Sequence, residues 1–242
     1  MISRFNSRIL KIAFAFILMI QFQSCAELQQ ISEEVVRSQT LSEQQIGSGL
    51  KEALAKGINK EVTKLAQEEG FYNIALVRIG LPEELSKVEN TLRQLGLGKL
   101  ADQGIKALNQ TAEQAVKEAT PVFLNAIRDI SFEDAKAILL GNQTAATAYL
   151  QTKTQNELYQ KFKPIIQSNF QKVGANEIWE NVIQRYNQIP LMQNVNPNLT
   201  DYVTSEALKG VYTMIEIEEV EIRNNIKERT SILLRRVFAL QD

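Results

Sequence analysis

From Ser42 onward, apolar residues return every three or four positions, and that rhythm restricts the chain to helices. In "LSEQQIGSGLKEALAKGINKEVTKLA" the series is Ile46, Leu50, Leu54, Ile58, Val62 and Leu65, which lines one face of a helix turning every 3.6 residues. Ser42 and Gln45 stand at the spacing of a capping box. Gly47, Gly49 and Gly57 lie inside the same helix, each weakening it by about 1 kcal/mol relative to alanine. They read as tolerated residues rather than as points of close helix contact.

Gly70 is expected to close this helix, and "GFYNIALVRIGLPEEL" is the least helical stretch of the chain. Pro82 suits the first turn of a second helix, with Glu83 and Glu84 at its positive end. Leu85, Val88, Leu92 and Leu95 form its inward stripe, and Gly96 its C-cap. The period continues through Ile105, Leu108, Ala112, Ala115, Ala119 and Phe123, with Pro121 predicted to kink or divide the helix. Ser131, Asp134 and Gly141 bracket a compact helix as N-cap, third position and C-cap. Thr144 to Val173 reads as one long helix bent at Pro164, with Leu158, Phe162, Ile165, Phe170 and Val173 inward. Trp179, Val182, Ile183 and Tyr186 mark a short helix before a loop holding Pro190 and Pro197. Thr200 and Thr230 are the expected caps of the last two helices. No repeat of fixed period appears, and strand-like alternation is nearly absent. The expectation is an all-α fold, an irregular multi-helix bundle of about nine helices, with residues 42–242 as a single domain.

The first 41 residues follow a different grammar. Arg4, Arg8 and Lys11 precede "IAFAFILMI", and no acidic residue occurs before Glu27. A basic head and a short apolar core make a secretory signal peptide. As a helix the core would rise only about 14 Å, against a hydrocarbon thickness of roughly 30 Å. Ser24 and Cys25 close the run, an arrangement that resembles the lipobox of bacterial lipoproteins. Phe22 and Gln23 depart from that pattern, so a general secretory signal with an incidental cysteine stays open beside it. Cys25 is the single cysteine of the chain, so no internal disulfide can form and lipidation accounts for the leftover thiol. Each buried CH₂ of an acyl chain contributes about 0.8 kcal/mol, and stable attachment takes two chains or more. The expected organisation is a signal peptide over 1–24, a lipidated polar tether over 25–41, and the helical domain. Ala26 after the cysteine favours sorting to the outer membrane, with the domain in the periplasm.

Cleavage before Cys25 would remove three basic residues and no acidic one from a chain of 27 Lys+Arg and 28 Asp+Glu. The remaining body is mildly acidic with its signs interspersed, so no nucleic-acid partner is expected. Histidine is absent, which removes the commonest general base and metal ligand together with every Ser-His or Cys-His pair. No cofactor, metal site or catalytic residue is assigned.

The segments "GLKEALAKGINK", "LVRIGLPEELSKVENTLRQLGLGK", "AEQAVKEATPVFLNAI", "SFEDAKAILLGNQTAAT", "YQKFKPII", "DYVTSEALKGVYTMIEIEEVEIR" and "RTSILLRRVF" occur in this order. Together they resemble a bacterial family known only as a domain of unknown function, numbered four-one-nine-seven, over roughly Ile46 to Phe238. The resemblance implies a helical envelope domain and supplies no catalytic residues. Ile74 stands where relatives often carry a second asparagine after the one matching Asn73, so any binding by that pair does not carry over.

Arg78 is the first polar candidate. Flanked by Leu76, Val77, Ile79 and Leu81, its guanidinium is expected to be drawn inward, where it would need a carboxylate or several carbonyls. Glu133 and Asp134 are the acidic candidates, either for an ion-pair or polar-ligand site or as first-turn capping acids. Tyr149, Lys153, Tyr159, Lys161 and Lys163 give the long helix a basic, aromatic face, read as a solvated face or as a surface for glycans or lipid headgroups. "EIEEVEIR", Glu216 to Arg223, reads as a charged helix face. Sequons at Asn109, Asn142 and Asn198 carry no default meaning in a bacterial envelope protein. The expected role is a non-enzymatic, membrane-anchored envelope domain binding a protein partner or an apolar ligand. The alternative is a carboxylate-dependent hydrolase of envelope glycans, which needs two acids facing each other across a cleft.

Overall fold

The apolar periods fold as eight α-helices and one 3₁₀ turn among the described residues of a computed structural model. Those residues are 41–172, 184, 187–188 and 199–241, the side chains of Glu83, Glu84 and Val88 excepted. The helices are α1 Glu43–Leu65, α2 Glu83–Gln94, α3 Gly98–Val116, α4 Ala119–Arg128, α5 Phe132–Leu139, α6 Ala145–Lys172, α7 Thr200–Asn224 and α8 Ile232–Phe238. The 3₁₀ turn, Ile226–Glu228, lies between the last two. The fold is all-α, with no strand among the described residues. No helix among them is long and apolar enough to cross a membrane.

Helices α6 and α7 pack along each other at the centre, α3 lies against both, and α1 closes the other side against α4, α5, α7 and α8. The core forms where these faces meet. Leu50, Ile58 and Leu65 of α1, Leu108 and Ala112 of α3, and Leu158 and Phe162 of α6 are buried there, with Val203 and Val211 of α7. Phe123 meets Tyr212 edge to face at 5.8 Å. The Tyr212 hydroxyl shares a 2.8 Å hydrogen bond with Thr154, so its polar end is satisfied inside. Burial nevertheless pushes the Tyr212 phenol up to about 12.

Glycine in α1 has a use that periodicity did not reveal. A Cβ on Gly49 would lie 2.6 Å from a Val237 methyl of α8, and one on Gly57 would lie 3.1 Å from Cγ of Glu218 on α7. These two are contact points, and of the three only Gly47 has open space around it. Gly96 adopts φ +75°, and the amides of Gly96 and Leu97 bond back to Arg93 and Leu92 at 3.1 and 2.8 Å. That double closure ends α2 as a Schellman motif.

Several boundaries and faces differ from expectation. Helix α1 stops at Leu65, five residues before Gly70. Leu95 is exposed, because the backbone turns at Gly96 before another inward position is reached. Pro121 falls in the first turn of α4, and the division comes just before it, at 117–118. Gly141 lies one residue beyond the C-cap, Leu140. Ile166 rather than Ile165 is buried, in register with Phe162 and Phe170, while α6 runs through Pro164 as one long helix, as expected. Leu199, not Thr200, is the N-cap of α7. Ser231 rather than Thr230 caps α8, its hydroxyl accepting the Leu234 amide. The expected inward Val173, the helix markers Trp179, Val182, Ile183 and Tyr186, and the loop prolines Pro190 and Pro197 lie outside the described residues, as does Cys25.

Candidate binding site

The connection between α1 and α2 has no regular structure, yet its backbone is tied down by polar groups inside the protein. Asn109 of α3 is fully buried. Its Oδ1 accepts the Ile79 amide at 2.8 Å, and its Nδ2 donates to the Ile79 and Ile105 carbonyls, both at 2.8 Å. One side chain thus does for Ile79 what a neighbouring strand would do. One turn on, buried Glu113 accepts the Phe71 amide at 3.4 Å, and the amides of Glu69 and Tyr72 also pull on its carboxylate. Burial pushes the Glu113 carboxyl up against the pull of these amides. Glu69 itself sits at φ +59°, a backbone conformation uncommon outside glycine. Tyr202 of α7 donates to the Gly80 carbonyl at 3.1 Å. Phe71, Val77 and Ile79 are buried, and Gly210 of α7 makes room for the first two, since a Cβ there would lie 2.8 Å from Phe71 and 3.3 Å from Val77.

This anchoring decides where Arg78 goes, and the inward expectation is corrected. Val77 and Ile79 are buried while Arg78 and Gly80 are exposed, the in–out alternation of extended chain. A residue between two buried ones must point out, however apolar its neighbours. The guanidinium stacks on the Tyr72 ring, 4.0 Å from its centroid. It has no carboxylate partner among the described residues. Lys106 lies 6.0 Å from the same ring and pairs with Glu69 at 2.5 Å. Asn73 is exposed and donates to Glu69 at 2.9 Å. Leu76 stands out at 64% exposure.

The other candidates do not join Arg78. Asp134 and Ser131 form the capping box of α5. Bonds from the Ser131 hydroxyl and amide hold the Asp134 carboxyl below its ordinary range, which is the capping role. Glu133 is exposed. The basic face of α6 divides into two internal clusters. Tyr149 bonds Asp134 at 3.4 Å with Lys153 beside its ring. Tyr159 and Lys163 both hold Asp201 of α7, at 2.9 and 2.7 Å, and Lys163 keeps the Asp201 carboxyl low. Lys161 is 3.9 Å from Glu157. These tyrosines and Lys163 are occupied in holding helices together, while Lys153 and Lys161 meet residues of α6 itself.

"EIEEVEIR" is more than a charged face, because Glu218, Glu219 and Arg223 are buried. Glu219 accepts the amides of Ala146 and Thr147 at 2.9 and 2.8 Å and the Thr147 hydroxyl at 2.8 Å, capping the start of α6. Arg223 bonds Glu219 through Nε and Nη2, at 2.9 and 2.7 Å. It also donates to the carbonyls of Ile138 and Leu139 at the end of α5, at 2.8 and 3.1 Å. The pair places its negative group on a helix N-terminus and its positive group on a C-terminus, as the helix dipoles favour. An i,i+4 Glu–Arg spacing was the available signal, but it is equally common on solvated helices.

Glu61 and Glu218, from α1 and α7, are a second buried pair. Both lie within 4 Å of the half-exposed Lys60 ammonium, at 3.9 and 2.5 Å. They sit within a helix contact, and neither reaches one-tenth exposure. Burial, reinforced by Glu218, pushes the Glu61 carboxyl up against the pull of Lys64 and Lys60. The folded protein therefore takes up this proton at higher pH than the unfolded chain does. Its stability should rise as pH falls through the folded value towards the unfolded one, and the ionised group costs most above both. Glu61→Gln is expected to raise Tm at neutral pH and to flatten this dependence. Melting curves across that range check it, and a variant no more stable than the parent at neutral pH refutes it. No group of three or more Asp, Glu, His or Cys that could hold a metal occurs among the described residues.

The structure thus defines an all-α domain that presents an irregular, internally clamped loop. Residues 40–239 match the family described as "Protein of unknown function (DUF4197)". The chain belongs to that family. Neither the curated proteins nor the solved structures contain a match.

Proposed function

We propose that this protein is a non-enzymatic, lipid-anchored domain of the bacterial cell envelope that binds a protein partner through the loop at residues 71–80. The signal-peptide grammar and Cys25 support the anchorage, with the outer membrane as the site and the periplasm as the compartment. The observation that carries the binding role is Arg78, stacked on Tyr72 and without a carboxylate partner among the described residues, beside exposed Leu76. Two buried polar side chains are committed to holding that loop. Arginine and tyrosine are over-represented among residues that dominate interfaces, and a pre-ordered loop spends less entropy on binding. A partner carboxylate would complete Arg78.

Two measurements test this. Mass spectrometry of the mature N-terminus is expected to find acylated Cys25, and Cys25→Ala should release the protein from membranes. A photo-cross-linking residue at position 76 should yield one discrete adduct that Arg78→Ala weakens by about 2 kcal/mol, roughly thirtyfold in Kd. An adduct unaffected by Arg78→Ala, or equally formed from exposed Glu157 on α6, would remove the loop from the proposal. An unacylated N-terminus would remove the anchor.

A further inference from the structure

A cleft of about 410 Å³ opens where the α5–α6 corner meets the C-terminal end of α7 and the chain beyond α8. Arg223, Gln143, Asn224 and Gln241 line it, with Leu140 and Leu240. The hydrogen-bonding capacity there is only partly used. A guanidinium carries five N–H groups, and Arg223 spends two on Glu219 and one each on Ile138 and Leu139. The fifth has no partner among the described residues, although the side chain is more than nine-tenths buried. Asn224 donates to the Gln143 carbonyl at 3.1 Å, which leaves the Asn224 carbonyl and the Gln143 amide open among the described residues. Gln241 donates to the Leu139 carbonyl and keeps its own oxygen. Unused donors and acceptors therefore line one small space, with two leucines, 58% and 50% exposed, on the same lining.

We propose that this cleft is a second binding site, independent of the Arg78 loop, and that it takes a neutral peptide segment with aliphatic side chains. The charge decides against an anion, because Arg223 is already neutralised by Glu219. A carboxylate brought to the remaining N–H would face that carboxylate across a buried guanidinium. A peptide carbonyl would satisfy the N–H without this repulsion, while the peptide amide meets the Asn224 or Gln241 oxygen. Among the described residues no aromatic ring lines the cleft to stack on a sugar, whereas Leu140 and Leu240 offer aliphatic contact. The volume falls in the range of small-molecule sites, room for about two residues.

The test is an NMR titration of the ¹⁵N-labelled full chain with N-acetyl-Leu-Leu N-methylamide. Saturable shifts are expected in the side-chain amides of Gln143, Asn224 and Gln241. Gln143→Ala/Asn224→Ala, at two exposed positions, should weaken binding at least tenfold with an unchanged circular dichroism spectrum, as should Leu140→Ser. The free acid N-acetyl-Leu-Leu should bind more weakly than the neutral amide. The proposal fails if no saturable shift appears up to the solubility limit, or if the shifts persist in the double variant. It fails equally if the free acid binds as tightly, or if di-N-acetylchitobiose saturates the site in place of the dipeptide.

Discussion

Arg223→Ala is expected to destabilise the domain by about 3–5 kcal/mol, the range for removing one partner of a buried ion pair. The substitution strands Glu219 in the interior and removes the donors to the Ile138 and Leu139 carbonyls in one step. Glu219 keeps the Ala146 and Thr147 amides and the Thr147 hydroxyl, so the loss should not exceed that range. At about 2–4 °C per kcal/mol for a domain of this size, Tm should fall by roughly 10 °C. Denaturant unfolding monitored by circular dichroism measures it. Glu219→Leu/Arg223→Met should recover part of the loss, because an apolar pair leaves no orphaned charge. A single variant within 1 kcal/mol of the parent, or a double variant worse than the single, would contradict the clamp.

Asn109→Ala should cost about 2–6 kcal/mol, since the buried amide and carbonyl of Ile79 both lose their partner and each orphaned group costs about 1–3 kcal/mol. The defect should be local first. Hydrogen exchange at the Ile79 amide should accelerate far more than exchange in α6, whose backbone bonds are untouched. Arg78 would then lose its fixed direction, so the same variant should weaken partner binding even where the fold survives. Unchanged protection at Ile79 would mean that the loop is held by its apolar residues alone. The buried Ile79 side chain, with Phe71 and Val77 packed against Gly210, would then be the anchor.

How far the sequence could be read differs from one element to another. The stripe Leu50, Leu54, Ile58, Val62 and Leu65 is buried as the 3.6-residue period required, and the Ser131–Asp134 box formed where its spacing stood. These follow from neighbours three or four positions apart. Arg78 was legible as an unusual cation and illegible in direction. Four residues of alternation are too short to separate from an apolar run, and the partner that holds them extended, Asn109, lies 30 positions away. The Glu219–Arg223 pair was hidden by the same kind of distance. Its spacing announces a surface salt bridge, and only α5 and α6 folding over it turn it into an interior one.

The order of residues by itself determined the all-α class, several helix limits and the family. Each is a matter of local period, local cap or local pattern. Which charges face water and which face protein was decided by the packing of α1, α3, α5, α6 and α7. Burial is a property of facing surfaces, and a helix cannot encode alone which of its faces will be covered. That is why a glycine written as tolerated became a contact, an arginine written as inward came to the surface, and a glutamate written as solvated became the cap of another helix.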